Sequence, residues 1–513
     1  MPKQMKPQQL FTLGCPTRDV ERGFGCRLLA NLPALGVIAM SIASSVVLTL
    51  GGCASSAGIA STAQEIAPVS VGRDASVPMP ALATDWWRSF GDASLTGLID
   101  RALADNPSLK VAQARLARAQ AAAAVTQAAD GPQVNGSLDV SRQRFSATSI
   151  YPAPLGGSIR TLGTAQIGGS WELDFFGRHR AEIEAAVGTQ RAAQADVQAA
   201  RSLLASNVAR QYVQLGRLFA QRDVAVRSLK QRDETLALIR QRVQGGLDTA
   251  VEQRQGEGAL PETRQQIEQL DEQIMLTRHA LAALTVQPPN ALDGLVAPLR
   301  TVVLLPLPAA VPADLLGRRA DIAAARARIE AASSDVASAK AQFYPNINLT
   351  AFVGLASIGL DQLVKSGSEQ YGAGPAIRLP IFDSGRLRAN LRGKAADLDA
   401  AIESYNGAVI DAVHDAADQI GSLRSIERQQ AQQASAQAAA ESAFDLATQR
   451  YRAGLATYLT VLNAESTVLN QRRQSTDLKA RALDAQITLI RSLGGGYQPE
   501  AIVGSHPTTG ATS

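Results

Sequence analysis

Residues 241–249 read QRVQGGLDT and residues 449–457 read QRYRAGLAT. Gln, Arg, Gly, Leu and Thr recur at one spacing, 208 residues apart. One nine-residue match is within chance, but three more pairs follow in the same order. AQARLARAQAAAA from Ala112 matches the pattern of AAARARIEAASSD from Ala323. ADGPQVNGSLDV around Pro132 matches AQFYPNINLTAFV around Pro345, and WELDFFGRHRAEI from Trp171 parallels IRLPIFDSGRLRANL from Ile377. The chain is an internal duplication, so whatever one half folds into, the other half folds into as well.

Each copy has the same plan. A helix of about 35 residues, Ser94 to Ala129 and Asp314 to Phe343, is stopped by a proline. Two strand-like runs follow: Val134–Gln143 and Thr164–Asp174 in the first copy, Pro345–Gly354 and Tyr371–Pro380 in the second. Several alternate apolar and polar residues, at the length of about nine to eleven that a tilted strand needs to cross a bilayer. Then Arg178 to Gln244 runs without proline, interrupted only by Gly188 and Gly216, and Gly385 to Ala453 is again without proline. Such a helix reaches roughly 100 Å at about 1.5 Å per residue. Its apolar positions Val197, Ala200, Leu204, Val208, Tyr212, Leu215 and Phe219 step at a mean of about 3.67, a nearly straight packing stripe. A shorter helix returns from about Val251 to Thr285 and from Tyr458 to Leu493. The repeated word therefore marks the tips of two helical hairpins, where glycine supplies the positive φ of a tight turn.

Four strands cannot close a barrel, and an open sheet edge is not tolerated in lipid. If the strands span a membrane, the protein must oligomerise: two chains give eight strands and three give twelve. Trp171, Phe175, Phe176, Phe343, Tyr344 and Phe382 fall where strands meet helices. They form either an interfacial belt or a plug between sheet and helices.

The formal net charge is +4 and the pI about 9.0. Residues 1–52 carry five of the basic and two of the acidic residues, and without them 45 basic and 44 acidic residues remain. That balance gives no case for nucleic-acid binding. Residues 1–52 read as an export signal: Arg22 and Arg27 precede an apolar run from about Ala34 to Leu50 that ends in LGGC. The small pair before Cys53 resembles a bacterial lipoprotein processing site, which makes Cys53 the lipidated first residue; a retained membrane anchor is the alternative. Cys15 and Cys26 would leave with the signal, so no internal disulfide is expected. The four histidines are scattered with no metal-ligand spacing, and no cofactor is expected beyond the lipid.

The Cys53 context, WWRSFGDASLTGLI at Trp86, FYPNINLTAFVG at Phe343, PIFDSGRLRANL at Pro380 and RYRAGLATYLTVLNAE at Arg450 together resemble the TolC/OprM outer membrane factors, above all the OprM-type lipoproteins of resistance-nodulation-division efflux systems. The resemblance covers about Trp86 to Leu493. It implies a mainly α chain with membrane β-structure, three copies of which make a twelve-stranded barrel continuous with a periplasmic α-helical barrel. It implies a passive exit duct for small molecules in the outer membrane of a Gram-negative bacterium, partnered by a periplasmic adaptor and an inner-membrane pump. The expected organisation is a signal (1–52), a lipidated segment (53–93), two repeats (94–286 and 314–493), an equatorial linker (287–313) and a disordered tail (494–513).

In that family the hairpin tips ring the periplasmic entrance and the adaptor docks there. The matching tip residues are Gly246, Leu247, Gly454 and Leu455. The resemblance places a gate acid at Glu252 and its tyrosine partner at Tyr451, with Ala456 where TolC has arginine. Two constricting aspartate rings fall on Thr460 and Asn463. The expectation is a constriction closed by neutral hydrogen bonding at Asn463, supported by Glu252 and Tyr451. Glu465, two residues on, sits on a different helix face and does not replace the missing aspartate.

Three other readings fit less well. A periplasmic adaptor has one hairpin with β domains and no duplication of this kind. A structural coiled coil has no use for paired strands with aromatic boundaries. An enzyme would show a nucleophile elbow, a phosphate loop or a His-Glu-x-x-His pattern, and the sequence has none.

Overall fold

The computed structural model describes residues 55–66, 83–148, 150–299 and 319–498. The signal, Cys53, residues 300–313 of the linker and the tail beyond residue 498 lie outside the described residues. The elements run α1 (Ala93–Asp105), α2 (Pro107–Ala129), β1 (Gln133–Arg144), β2 (Ile159–Leu173), α3 (Arg178–Gln244), α4 (Ala250–Leu284), α5 (Ala320–Ala341), β3 (Asn346–Ile358), β4 (Glu369–Arg378), α6 (Arg386–Arg452) and α7 (Tyr458–Ser492). The duplication is visible element by element: α3 and α6 each have 67 residues, and α4 and α7 each have 35.

The first helix is not continuous, contrary to expectation. Pro107 pushes Asn106 out of the helical region, to φ −63° and ψ 125°, and the chain restarts. The Asn106 side chain accepts from the Ser108 amide and donates to the Leu284 carbonyl, so the break also ties α2 to the end of α4. The expected glycine interruptions in α3 are absent. Gly188 and Gly216 are helical, and they serve close packing instead: a Cβ on Gly188 would lie 3.0 Å from Ala331 of α5, and one on Gly216 2.8 Å from the Ala297 carbonyl.

The apolar stripe of α3 packs as its spacing predicts. Leu204, Val208, Tyr212 and Leu215 are buried against Trp86, Phe90, Leu95 and Ile99, with Val197, Ala200 and Phe219 at the margin. Tyr212 donates to Asp92 at 2.9 Å, and the other oxygen of Asp92 caps α1 by accepting from the Ser94 and Leu95 amides. Toward the tail, Gly494–Gly496 turn back to the body: Gly495 approaches Ser202 and Gly496 approaches Ala83. The expected disorder therefore does not hold for residues 494–498.

The four strands form one antiparallel sheet in the order β1-β2-β3-β4. The register sorts the side chains into two faces. One carries Val134, Leu138 and Val140 opposite Gly169, Ala165 and Gly163, then Ile167 opposite Val353, Val353 opposite Tyr371, Trp171 opposite Leu349, and Ile347 opposite Ile377. The other carries Gln133, Asn135, Ser137 and Asp139 opposite Ser170, Gly168, Gln166 and Thr164, and continues through Asn348 and Thr350 to Ala376 and Gly374. The first face is largely apolar, with Arg142 and Arg144 at the far end of β1; the second is largely polar but carries Phe352 at its centre and Leu162 and Ile358 at its far end, and among the described residues β1 and β4 each leave an outer edge unpaired.

Candidate functional site

Both hairpin tips have one backbone. At the first, the Gly246 amide donates to the Val243 carbonyl and the Leu247 amide to the Arg242 carbonyl; at the second, Gly454 donates to Tyr451 and Leu455 to Arg450. This paired pattern closes a helix C-terminus through a left-handed residue. Gly246 has φ 72° and Gly454 φ 75°. Leu247 and Leu455 are 68% and 70% exposed, each projecting from its tip. A threonine then starts the returning helix in both copies.

The side chains around this shared backbone differ. Arg242 makes a two-pronged ion pair with Asp248, at 2.9 and 3.2 Å, with the two side chains only 10% and 8% exposed. The third nitrogen of Arg242 donates to the Tyr451 carbonyl at 3.0 Å, and its guanidinium lies 4.5 Å from the Tyr451 ring centre. The Tyr451 hydroxyl donates back to Asp248. Burial pushes the Asp248 carboxyl up, but the hydrogen bonds from Arg242 and Tyr451 outweigh it and hold the group below its ordinary value. Burial, then the Asp248 carboxylate, push the Tyr451 phenol above its ordinary range. Tyr451 also belongs to an apolar cluster with Ile239, Ala447, Tyr458 and Val461, which joins the ends of α3 and α6 to the start of α7.

This corrects the expected gate pair. The acid that meets Tyr451 is Asp248, not Glu252. Glu252 is the third residue of α4, and its carboxylate turns back to accept from the Thr249 amide at 2.9 Å and from the Thr249 hydroxyl, forming a capping box. Hydrogen bonds from Thr249 hold its pKa below the ordinary value. Thr460 occupies the same third position in α7; its hydroxyl lies 3.3 Å from that of Thr457, and Thr457 makes no capping bond to the backbone. Both the arginine and the acid of this cluster come from the first tip. Asp248 is the residue at which GLDT departs from GLAT, and that departure is the signal by which sequence comparison finds it.

Asn463 and Thr460 lie together on the exposed face of α7. Neither hydrogen-bonds to Glu252 or Tyr451, so of the expected gate set only Tyr451 joins the Asp248 cluster. Glu465 faces the opposite way, as its spacing requires. It is buried and paired with Arg232 of α3 at 3.1 Å, the two side chains 8% and 14% exposed. Arg232 also donates to the Ala259 carbonyl at 3.1 Å and to Thr263 at 2.9 Å, so one guanidinium binds α3, α4 and α7. Burial pushes the Glu465 carboxyl above its ordinary value, against the pull of Arg232. Sequence reading missed Arg232 because nothing in its neighbourhood marks a partner 233 residues away.

At the strand–helix junction the aromatic residues divide. Phe343 plugs the junction, packed, like Ile59, against the cluster of Val336, Ala339 and Leu391. Phe175, Phe176, Tyr344 and Phe382 are exposed, Phe382 at 84%, and Phe176 stacks on Tyr344 with ring centres 4.9 Å apart. Trp171 is on the apolar face and donates to the Asp130 carbonyl at 3.0 Å. Residues 55–66 run along α6 at this end. Arg388 donates to the Ser55 carbonyl, Asp399 accepts from Ser61, Thr62 and Ala63, and Asn406 accepts from the Ile66 amide.

Among the described residues no group of three or more His, Cys, Asp or Glu could hold a metal ion. No described helix is long and apolar enough to cross a membrane.

Known proteins share this architecture. The family described as "Outer membrane efflux protein" matches residues 98–286 and 311–495, one segment for each repeat. The multidrug resistance outer membrane protein MdtQ of Escherichia coli O6:H1 is 36% identical over 429 residues, which covers 81% of this chain and 88% of MdtQ. The pyoverdine export outer membrane protein OpmQ of Pseudomonas aeruginosa is 32% identical over 419 residues, covering 81% and 88%. Among solved structures, the outer membrane protein VceC of Vibrio cholerae superposes with a TM-score of 0.77 at 35% identity, covering 81% of this chain and all of VceC.

Proposed function

We propose, from the premise that this chain belongs to the outer membrane efflux protein family, that three copies assemble into one passive exit duct. The observation that carries this reading is the sorted sheet with two free edges. An apolar outer face suits lipid and a polar inner face suits water, but the edges forbid a lone chain from standing in a bilayer. Three copies give twelve strands, with β4 of one chain beside β1 of the next. The helices that leave this sheet extend it as a tube roughly 100 Å deep into the periplasm. The chain performs no chemistry on what it passes. Its cargo is drugs or other small molecules, a reading supported by relatives named for multidrug resistance and for pyoverdine export.

In this reading the two tips ring the entrance, Leu247 and Leu455 are knobs for a periplasmic adaptor, and an inner-membrane pump of the resistance-nodulation-division class drives export. Asn463 forms the constriction by neutral hydrogen bonding. The Asp248–Arg242–Tyr451 cluster, in place of Glu252, latches one hairpin to the other. Lipid on Cys53 anchors the N-terminus. Support comes from Ser55, two residues on, whose carbonyl accepts from Arg388 in the first turn of α6, six residues past the exposed Phe382.

Outer-membrane fractions tested by electrophoresis with and without heating check the assembly. A duct migrates as a heat-sensitive trimer that conducts in planar bilayers. A monomer without conductance rules the reading out. Mass spectrometry of the mature N-terminus, against Cys53→Ser, checks the lipid.

A further inference from the structure

The two repeats meet once inside the sheet, where β2 of the first pairs with β3 of the second. In a ring of three copies they meet again, where β4 of one copy lies beside β1 of the next. Because β4 repeats β2 and β1 repeats β3, the joint within the chain is a template for the joint between copies. Strands β1 and β3 begin on the residue after Pro132 and after Pro345, a displacement of 213 residues. Strands β2 and β4 correspond at Trp171 and Ile377, a displacement of 206, and both residues lie on the largely apolar face. Within the chain Trp171 is opposite Leu349, and Gly163 is opposite Ser357. The same pairs carried to the second joint set Ile377 opposite Gly136, and Glu369 opposite Arg144, of the next copy.

The two edges suit this register in length, face and charge. It covers β4 from end to end, with Glu369 to Arg378 lying along Arg144 to Asn135. It sets Ala373 on Val140 and Pro375 on Leu138, all from the largely apolar face, and Gln370 on Gln143 from the polar one. Arg142 and Arg144 are exposed at the far end of β1, and neither guanidinium has a partner among the described residues. Glu369 is exposed at the same end of β4, where one of its oxygens accepts from the Gly367 amide at 2.8 Å. Tyr371, on the same face, is 84% exposed and comes to lie opposite Arg142.

We propose, on the premise of the three-copy assembly, that β4 closes on β1 of the next copy in this register. Glu369 with Arg144, and Tyr371 with Arg142, clasp the outer end of the seam. A slip of one residue turns every outward side chain of the strand inward. A slip of two keeps the faces but leaves one arginine without its match. An exposed ion pair adds little stability, so the clasp acts by selecting one register over its neighbours. An arginine set over a tyrosine ring adds a second, independent preference for the same register.

Cysteine pairs in the full-length protein, oxidised in the outer membrane, test this. Opposed residues on antiparallel strands have Cα atoms about 4.5–5.5 Å apart, within disulfide reach, whereas diagonal neighbours stand about 7–8 Å apart. Glu369→Cys with Arg144→Cys, and separately Ile377→Cys with Gly136→Cys, should give covalent trimers on denaturing electrophoresis that a reductant dissolves. A Cβ at Gly136 meets no atom of its own chain within 4 Å. The slipped pairs, Glu369→Cys with Arg142→Cys and Ile377→Cys with Leu138→Cys, should cross-link at least about fivefold less. Adding Arg144→Glu to the Ile377–Gly136 pair should lower its yield by about twofold, and adding Glu369→Arg as well should restore it. Trimers that cross-link best through a slipped pair, or through none of the four, overturn the register. A yield unmoved by Arg144→Glu overturns the clasp. Native protein that migrates only as a monomer sinks the assembly reading itself, and this inference with it.

Discussion

At the first hairpin tip Arg242 turns back onto Asp248, and both reach across to Tyr451. At the second, the matching arginine, Arg450, faces solvent, because Ala456 stands where the first tip has its carboxylate. The backbones are alike to the hydrogen bond. Duplication preserved the turn, which any tight hairpin needs, and let the side chains diverge into two halves of one contact. The first tip supplies charge and the second supplies a phenol and a carbonyl. A contact made this way joins the hairpins only when they are close, which is what a latch requires.

The largest effect is expected above the tips. Glu465→Ala leaves Arg232 without its buried counter-charge, at a cost of about 3 kcal/mol. Thermal unfolding of the trimer followed by circular dichroism should show it, and Arg232→Met combined with Glu465→Leu should recover most of the loss. Recovery that fails would mean that the pair is needed for more than mutual compensation.

Asp248→Asn comes next, at about 2 kcal/mol, since it weakens charged hydrogen bonds at an almost buried site. The two carboxylates also separate by pH. Asp248 has its pKa lowered in the fold, so its contribution is present above 3.8, the ordinary value, and is lost as pH falls through the folded value. Glu465 has its pKa raised, so its contribution is full below 4.5 and is lost as pH rises through the folded value. Stability of Asp248→Asn relative to native should thus improve on acidification below 3.8, whereas Glu465→Gln should gain on the native protein as pH rises above 4.5. Equal pH profiles for the two variants would contradict the assignment.

Much of the architecture was legible because it repeats. Two copies of each helix and strand pair make weak periodicities agree, and both long helices lie within a residue of their expected ends. The break at Asn106 was not read although Pro107 announces it, since alanine-rich sequence on either side favours helix strongly. The tips were legible as turns but not as a site. The resemblance to TolC points at Glu252, whereas its place as third residue of a helix behind Thr249 marks a capping box. Asp248 meets Tyr451 across 203 residues, and no local pattern encodes that meeting.

Smaller changes sharpen the likeness of the two backbones. Gly246→Ala and Gly454→Ala should each cost about 1 kcal/mol and by similar amounts, because both glycines have positive φ. No atom lies within 4 Å of either added Cβ, so backbone strain is the whole effect. Unequal costs would show that the turns are not equivalent. The smallest difference concerns the caps: Thr249→Ala should cost about 1 kcal/mol, and Thr457→Ala, whose side chain caps no amide, a few tenths at most.

The latch itself is tested most directly by single-channel conductance of the native protein, Asp248→Asn, Tyr451→Phe and the double variant. If Asp248 and Tyr451 close the duct through their mutual contact, each single change raises conductance and the double raises it no further than the larger single effect. Two increases that simply add, or none at all, would place the gate elsewhere.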